Sequence, residues 1–484
     1  MRLGEILVLR GMVSVADIAK TLERQRNHGG KLGENLVALG LVSGEALLDV
    51  LDNTPAMPRT VAETGIARGN LLNLLMKFIR FESCELATDL GKRMKLQHSV
   101  MQELLDSAVA QKLLYVLGTA TVGLTQVQRY ALTDQGKADA TAALTQSQYL
   151  GPAPVSLTAY QAQILRQAIN NERLDFEDVQ RRVTNLVLSD RHLRQLLPAA
   201  TSGQTVLLYG PPGNGKTSVG LLMAGLFQQS ISVPYALEVD GQIIKIVDES
   251  LHKPFIENVT TTLAALDALP AGGTLQTEGF DSRWMICRRP VAMAGGELTL
   301  DMLELRYDGE AKTYDAPLHL KALNGIFLID DFGRQQVAPT DLLNRWIIPL
   351  ESRVDYLKLK TGKSFSIPFD ELVIFSTNLA PADLMDPAFL RRIPYKIHMT
   401  GPGRDEYREV FNRVAQARGL CISDEVFDLI VQHITGGAKQ DLAYFQPKFI
   451  CDQAKQVCRC FNLPPVITKA LAEDALANLY VEKD

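Results

Sequence analysis

The segment Leu207-Leu208-Tyr209-Gly210-Pro211-Pro212-Gly213-Asn214-Gly215-Lys216-Thr217 constrains this chain more than any other. An apolar run enters a glycine-rich loop of the form GxxxxGK[ST], and a helix-like stretch, Ser218–Phe227, leaves it. A strand, a loop and a helix in that order point several backbone N–H groups at one place, and that place suits a polyphosphate. Gly210, Pro211 and Pro212 open the loop. The backbones of Gly213, Asn214 and Gly215 would cradle the phosphates, Lys216 would reach the β and γ oxygens, Thr217 would hold Mg²⁺, and Ser218 would follow at the helix start.

A second apolar strand, Gly325–Ile329, ends in two carboxylates, Asp330 and Asp331, about 115 residues later. Asp330 is placed to hold Mg²⁺, partly through water. Asp331 stands where a carboxylate can polarise an attacking water. It is one methylene shorter than Glu, so the backbone must bring it closer. The alternative is that Asp331 only caps the next turn. A third strand, Leu372–Phe375, ends in Ser376-Thr377-Asn378, and Asn378 can orient that water. The run Asp386-Pro387-Ala388-Phe389-Leu390-Arg391-Arg392 then presents two arginines after a short helix. Either could reach a γ-phosphate on a neighbouring copy; the competing reading is a surface ion pair.

In this order and spacing, the four elements resemble the AAA+ ATPase superfamily over residues 160–484. The resemblance implies an αβα core with a parallel sheet over 158–400 and a helical lid over 401–484. It also implies Mg²⁺-dependent ATP hydrolysis by a homo-oligomer, habitually a hexamer, that remodels a protein partner. The segments Val354–Leu359 and Ser364–Ile367, joined by Thr361-Gly362, resemble the hairpin of the branch that includes MoxR-like ATPases. The lid is expected as four helices, Asp405–Arg418, Asp424–Thr435, Asp441–Cys460 and Ile467–Tyr480. Lys448 is its candidate for the lid cation that the family often supplies as Arg. The adenine is expected near Val187-Leu188. The roughly 100 residues before Asp330 exceed what such a core requires, and in a ring they would face the central channel.

The chain opens on a repeat. Residues 2–24 and 31–53 align at an offset of 29 with nine of 23 positions identical, among them Leu3/Leu32, Gly4/Gly33, Leu7/Leu36, Gly11/Gly40 and Ser14/Ser43. Each unit reads as helix, glycine-ended turn and capped second helix. One such unit cannot bury its apolar face alone, so the two should pack as a pair. The pattern RLGxxLVxxG resembles the MshEN domain of type II secretion and type IV pilus ATPases. That resemblance implies a domain over 1–58, a secretion- or pilus-type partner, and cyclic di-GMP as an effector. Its ligand would meet Arg2, Leu3, Gly4, Leu7, Gly11 and Gln25, then Lys31, Leu32, Gly33, Leu36 and Gly40. Lys31 departs from the family's Arg, and Thr54 stands at the position equivalent to Gln25. A helical docking module that binds no nucleotide is the alternative.

Residues 60–150 read as three helices (Leu71–Phe81, Glu85–Met94, Gln97–Ala110), a hairpin (Leu113–Leu117 with Arg129–Leu132) and a helix capped at Thr133-Asp134. That order resembles a winged helix. Its second helix of the pair, LQHSVMQELLDSAVA, has no Lys or Arg, and the module carries nine basic against eight acidic side chains. Phosphate neutralisation normally supplies most of the affinity for DNA, so the module favours a protein contact over nucleic acid. The Gly151-Pro152-Ala153-Pro154 stretch should end it as a stiff linker.

The net charge of −5 argues against a generally basic nucleic-acid binder. Six cysteines without CxxC spacing read as reduced, mostly buried thiols. No apolar run approaches a membrane span and the start lacks a signal core, which together point to the cytoplasm. The expected fold class is multidomain α and α/β: helical repeat, winged-helix-like module, P-loop core and helical lid. The leading function is a ring ATPase with a front-end sensor. Two alternatives stand beside it: a slow nucleotide-state switch, and a DNA-linked regulator acting through the winged module.

Overall fold

The computed structural model describes residues 2–122, 125–182, 190–256, 258–269, 279–437 and 440–479. Five strands build the central sheet of the P-loop core: β1 (Val206–Tyr209), β2 (Val291–Ala294), β3 (Ile326–Ile329), β4 (Leu372–Thr377) and β5 (Tyr395–His398). They lie in the order β5-β1-β4-β3-β2, and every neighbouring pair is parallel. Parallel sheets are covered on both faces, so their strands read as unbroken apolar runs. Accordingly β3 and β4 are buried at every position.

Helix α1 (Lys216–Leu226) covers one face through Val219, Met223 and Leu226. Gly220 lets it close on β3, since a Cβ there would stand 3.0 Å from Leu328. Helix α2 (Pro339–Ser352) covers the other face. Its Trp346 is fully buried among the rings of Phe327, Phe369 and Phe375. This αβα sandwich with its strand order is the P-loop core expected from the sequence. Four helices follow as the lid: α3 (Arg404–Ala417), α4 (Asp424–Gln432), α5 (Phe445–Cys460) and α6 (Lys469–Leu479). They share one core around Tyr407, Phe411, Phe427 and Ile450.

The N-terminal repeat forms as read, with helices Leu3–Leu9, Val15–His28, Leu32–Ala38 and Gly44–Asn53. The Ser14 and Ser43 hydroxyls accept from the backbone N–H groups of Asp17 and Ala46. The units face each other reciprocally. A Cβ on Gly4 would meet Leu32 at 3.4 Å, and one on Gly33 would meet Leu3 at 3.6 Å. The second module has helices Arg68–Phe81, Ala87–Met94 and His98–Ala110, a hairpin of Leu114–Val122 with Thr125–Leu132, and helix Asp134–Gln146. The hairpin is longer than the short strands expected from sequence.

One expectation changes. The Gly151–Pro154 stretch is no free linker: Ala153 is 1% exposed and donates to the Met94 carbonyl. Described parts of the long segment before Asp330 form most of a second sheet and an antiparallel strand pair, Ser230–Pro234 with Trp284–Arg288, and they contact the N-terminal modules. In that segment Arg283, paired with Asp281 at 2.8 Å, donates to the carbonyls of Thr64 and Pro154. Asn70 reaches Glu238, and Gln148 reaches the Ala311 carbonyl. These residues are engaged by the chain's own front end. Of the six cysteines, all free, Cys287, Cys451 and Cys458 are buried, whereas Cys421 and Cys460 are exposed.

Candidate functional site

Because the central strands are parallel, the loops after β1, β3 and β4 gather along one edge of the sheet, where ligands of such folds bind. The loop after β1 turns through Gly210, Gly213 and Gly215, all at positive φ. Gly215 caps α1 at φ +75°, and the first helical residue is Lys216. The Lys216 ammonium is 6% exposed and folds over the loop, donating to the carbonyls of Gly210 (2.9 Å) and Pro211 (2.8 Å). Burial lowers its pKa, and the charges of Asp330 and Asp331 oppose that shift.

The residues read from distant segments come together in two pairs. Thr217 Oγ1 donates to Asp330 Oδ2 at 2.8 Å. Asn378 Nδ2 donates to Asp331 Oδ1 at 3.1 Å. The first pair brings a hydroxyl and a carboxylate to one point, the donor set that suits a Mg²⁺ ion sharing its other ligands with phosphates and water. Among the described residues no cluster of three or more His, Cys, Asp or Glu side chains offers an all-protein metal cage. The second pair sits beside it. Asp331 adopts φ +49°, a left-handed backbone that is uncommon outside glycine. The short carboxylate is thus presented from a special backbone conformation. Gln335 anchors the turn by donating to the Asp330 carbonyl at 2.8 Å.

Arg391 and Arg392 stand at the opposite edge, before the amino end of β5. They line a cavity of about 720 Å³ with Arg353, Glu351, Asp370 and Asn171. A four-residue strand spans about 13 Å, so neither arginine adjoins its own phosphate loop. The two also differ from each other. Arg392 is held by Glu351 at 3.1 Å and by the Ala388 carbonyl at 2.9 Å. Arg391 is exposed and has no side-chain partner among the described residues.

Lys448 is exposed on the first turn of α5, three residues after Phe445, which touches Gly213. Val187-Leu188, the expected adenine neighbours, lie outside the described residues. Sequence reasoning passed over two residues near the loop: Phe445 and the Asn214 side chain, whose amide lies 3.4 Å from the Met399 carbonyl. Asn214 was legible only as backbone, and no motif marks Phe445.

In the repeat, Arg2 pairs with Glu5, and the Lys31 backbone N–H donates to Glu34 at 2.9 Å. Gln25 is 7% exposed and donates to the Gly30 carbonyl at 2.8 Å. Leu7 and Leu36 are fully buried. The structure turns these two leucines into the module's core rather than toward a ligand. Gly4 and Gly33 are likewise buried, where they let the two units approach. Leu3 and Leu32 are half-buried at the reciprocal contact, Gly11 abuts Phe255, and Gly40 is open.

Comparison with known proteins adds the following. Residues 403–478, in the lid, match a family described as a domain of unknown function, DUF8689. No curated protein matches the chain. Among solved structures it is similar to RuvB of Thermotoga maritima, titled a Holliday junction branch migration motor, at 14% identity over 64% of this chain and 71% of that one, with a TM-score of 0.30. A variant of that RuvB gives 13% identity over 65% and 73%, with a TM-score of 0.31. NtrX of Brucella abortus gives 12% identity over 69% and 70%, with a TM-score of 0.38. The strand order and the two side-chain pairs, not these likenesses, carry the assignment of a P-loop core. No described helix is long and apolar enough to cross a membrane.

Proposed function

We propose that this chain is a Mg²⁺-dependent ATPase of the AAA+ kind, acting as a homo-oligomer that remodels a protein partner. The observation that carries the reading is the pair of contacts Thr217–Asp330 and Asn378–Asp331 beside Lys216. When bound, Mg²⁺ would supply charge neutralisation at the β and γ phosphates. The chain's own residues do the rest. Thr217 and Asp330 hold the ion, Lys216 meets the phosphate oxygens, and Asn378 fixes the Asp331 carboxylate where a water can be oriented. Lys448 offers a further cation from the lid.

The separation of Arg391 from its own loop favours a finger supplied to a neighbouring copy. Arg391 is the free cation, and Arg392, tied to Glu351, braces the turn that presents it. A ring, with six copies as the family's habit, follows from that role. The winged module favours a protein contact over DNA. Glu103 on its third helix is occupied by Arg68 and the Val61 N–H, and the hairpin exposes Tyr115, Val116 and Leu117 while its Arg129 is paired with Glu85. The front-end repeat is proposed to sense cyclic di-GMP or to dock a secretion- or pilus-type partner. The reciprocal packing of its two helix starts supports a site of two-fold character.

Turnover of ATP by the purified chain is the test. Lys216→Ala should abolish tight binding, and Asp330→Asn should keep measurable binding but remove turnover, since metal positioning is lost. Unchanged turnover in Asp330→Asn overturns the metal assignment. Negligible turnover in the wild type, with ATP binding intact, favours the slow switch; the strained Asp331 backbone is the observation behind that second reading.

A further inference from the structure

The first turn of α5 is pressed onto the phosphate loop. The Phe445 N–H donates to the Gly213 carbonyl at 3.1 Å. Its ring lies so close that a Cβ on Gly213 would stand 2.2 Å from Phe445 Cδ1. Gly213 is at φ +80° and Gly215 at φ +75°, conformations that an L side chain rarely adopts. Between them, Asn214 is 3% exposed and its amide nitrogen faces the Met399 carbonyl, on the connection from β5 to the lid. Its Oδ1 has no hydrogen-bond partner among the described residues. Two residues beyond Met399, Gly401 passes under the lid's Leu442, whose carbonyl oxygen would stand 2.0 Å from a Cβ. The loop is thus gripped from two sides, by the connection through Asn214 and by the lid through Phe445. The Phe445 ring remains 44% exposed and lies outside the lid's own core. Its packing is spent on the loop, not on the lid.

We infer that Phe445 is a positioning residue for the nucleotide: it acts through Gly213 to hold the phosphate loop in its binding form. The inference rests on the ATP reading above. A loop held in advance loses less freedom when phosphates arrive. By reciprocity, a nucleotide that favours the ordered loop favours the seated lid equally. Lid position and nucleotide affinity are then one equilibrium.

The test uses the full chain, with ATP and ADP binding followed by calorimetry. Phe445→Ala should weaken both nucleotides by about 5- to 30-fold, the freedom of about one backbone residue. It should raise KM while leaving kcat at saturating ATP in place. Without nucleotide, amide exchange at Asn214–Lys216 should quicken while the thermal midpoint stays, because the ring lies outside the lid core. Phe445→Leu, which keeps an apolar group over Gly213, should restore most of the affinity. Equal affinity and equal exchange in Phe445→Ala and wild type overturn the inference. A midpoint lowered in Phe445→Ala, with loop exchange unchanged, also overturns it and makes the ring merely structural. Absence of ATP binding in the wild type overturns the ATP reading instead.

Discussion

Repeat one and repeat two have the same helix–turn–helix form and identical residues at nine aligned positions, yet they live in different surroundings. Leu7 and Leu36 are both fully buried. One step along, Val8 is 3% exposed and Val37 is 39% exposed. The difference has one cause. Phe255 and the helix Val259–Asp267, from the long segment of the P-loop core, lie on repeat one and share its core through Leu266. Repeat two shows its equivalent face to solvent. Polarity even runs backwards: Arg10 is buried, whereas its counterpart Leu39 is 41% exposed. The Arg10 guanidinium donates to Thr54 Oγ1 at 2.8 Å, and burial brings its pKa down to about 10 against the pull of Asp49. Positions that build the unit are therefore equal in both copies, and positions on its outer face are decided by what covers them.

The harshest way to break this comparison is to place a carboxylate on each outer face. Val8→Asp buries an unpartnered charge in the core that repeat one shares with the P-loop core's long segment, which typically costs about 3–5 kcal/mol. Val37→Asp sits in water and should stay within about 0.5 kcal/mol. Hydrogen exchange across residues 3–28, together with the first urea transition, reads the difference. Equal loss in both variants would mean that the long segment does not cover repeat one in solution.

The same contrast explains what was legible from sequence. Lys216, Thr217, Asp330 and Asn378 could be placed because their chemistry forces the ends of buried strands to meet, whatever lies between. The lid helices and the repeat followed from periodicity and caps. Docking of repeat one could not be read, because its partner lies some 250 residues away and an apolar stripe does not say what covers it. Leu7 and Leu36 misled for a related reason: a leucine against a ligand and a leucine in a core have the same spacing. Arg391 and Arg392 were indistinguishable until Glu351, on α2, was found holding one of them. Arg283, which ties three parts of the chain together, is an unremarked arginine two residues from an aspartate.

A gentler perturbation sharpens the comparison at the helix starts. If the repeat binds cyclic di-GMP, Arg2 and Lys31 are equivalent cations in unequal chemistry. Losing one charge-assisted contact costs about 1.5–3 kcal/mol, or roughly 10- to 150-fold in affinity. Arg2→Ala should weaken binding more than Lys31→Ala, since only Arg can grip phosphate through a fork. Calorimetry on the full chain decides. The reverse order would show that Glu5 keeps Arg2 to itself. No heat from the wild type would leave the repeat as a protein-docking module.

The smallest effect lies at the two glycine turns, and it isolates the docking contact itself. Gly11 and Gly40 hold nearly the same backbone, φ +69° and φ +67°. An alanine must adopt a left-handed conformation at either site, at about 1–2 kcal/mol. That cost is common to both and cancels in the comparison. What remains is the space around the new methyl. At Gly40 it would meet nothing within 4 Å. At Gly11 it would stand 3.1 Å from Phe255 Cδ1, tighter than ordinary contact. The ring has limited room to yield, because the Arg288 guanidinium lies over it at 5.2 Å. Gly11→Ala should therefore cost about 0.5–1 kcal/mol more than Gly40→Ala, the low end for one excess methyl at a packed contact. Repeating both substitutions in a Phe255→Ala background completes a double-mutant cycle. The gap should close there, because the ring that the methyl strikes is gone. A gap that persists without Phe255 would place the difference in the turns' own backbones and remove the Phe255 contact as its cause.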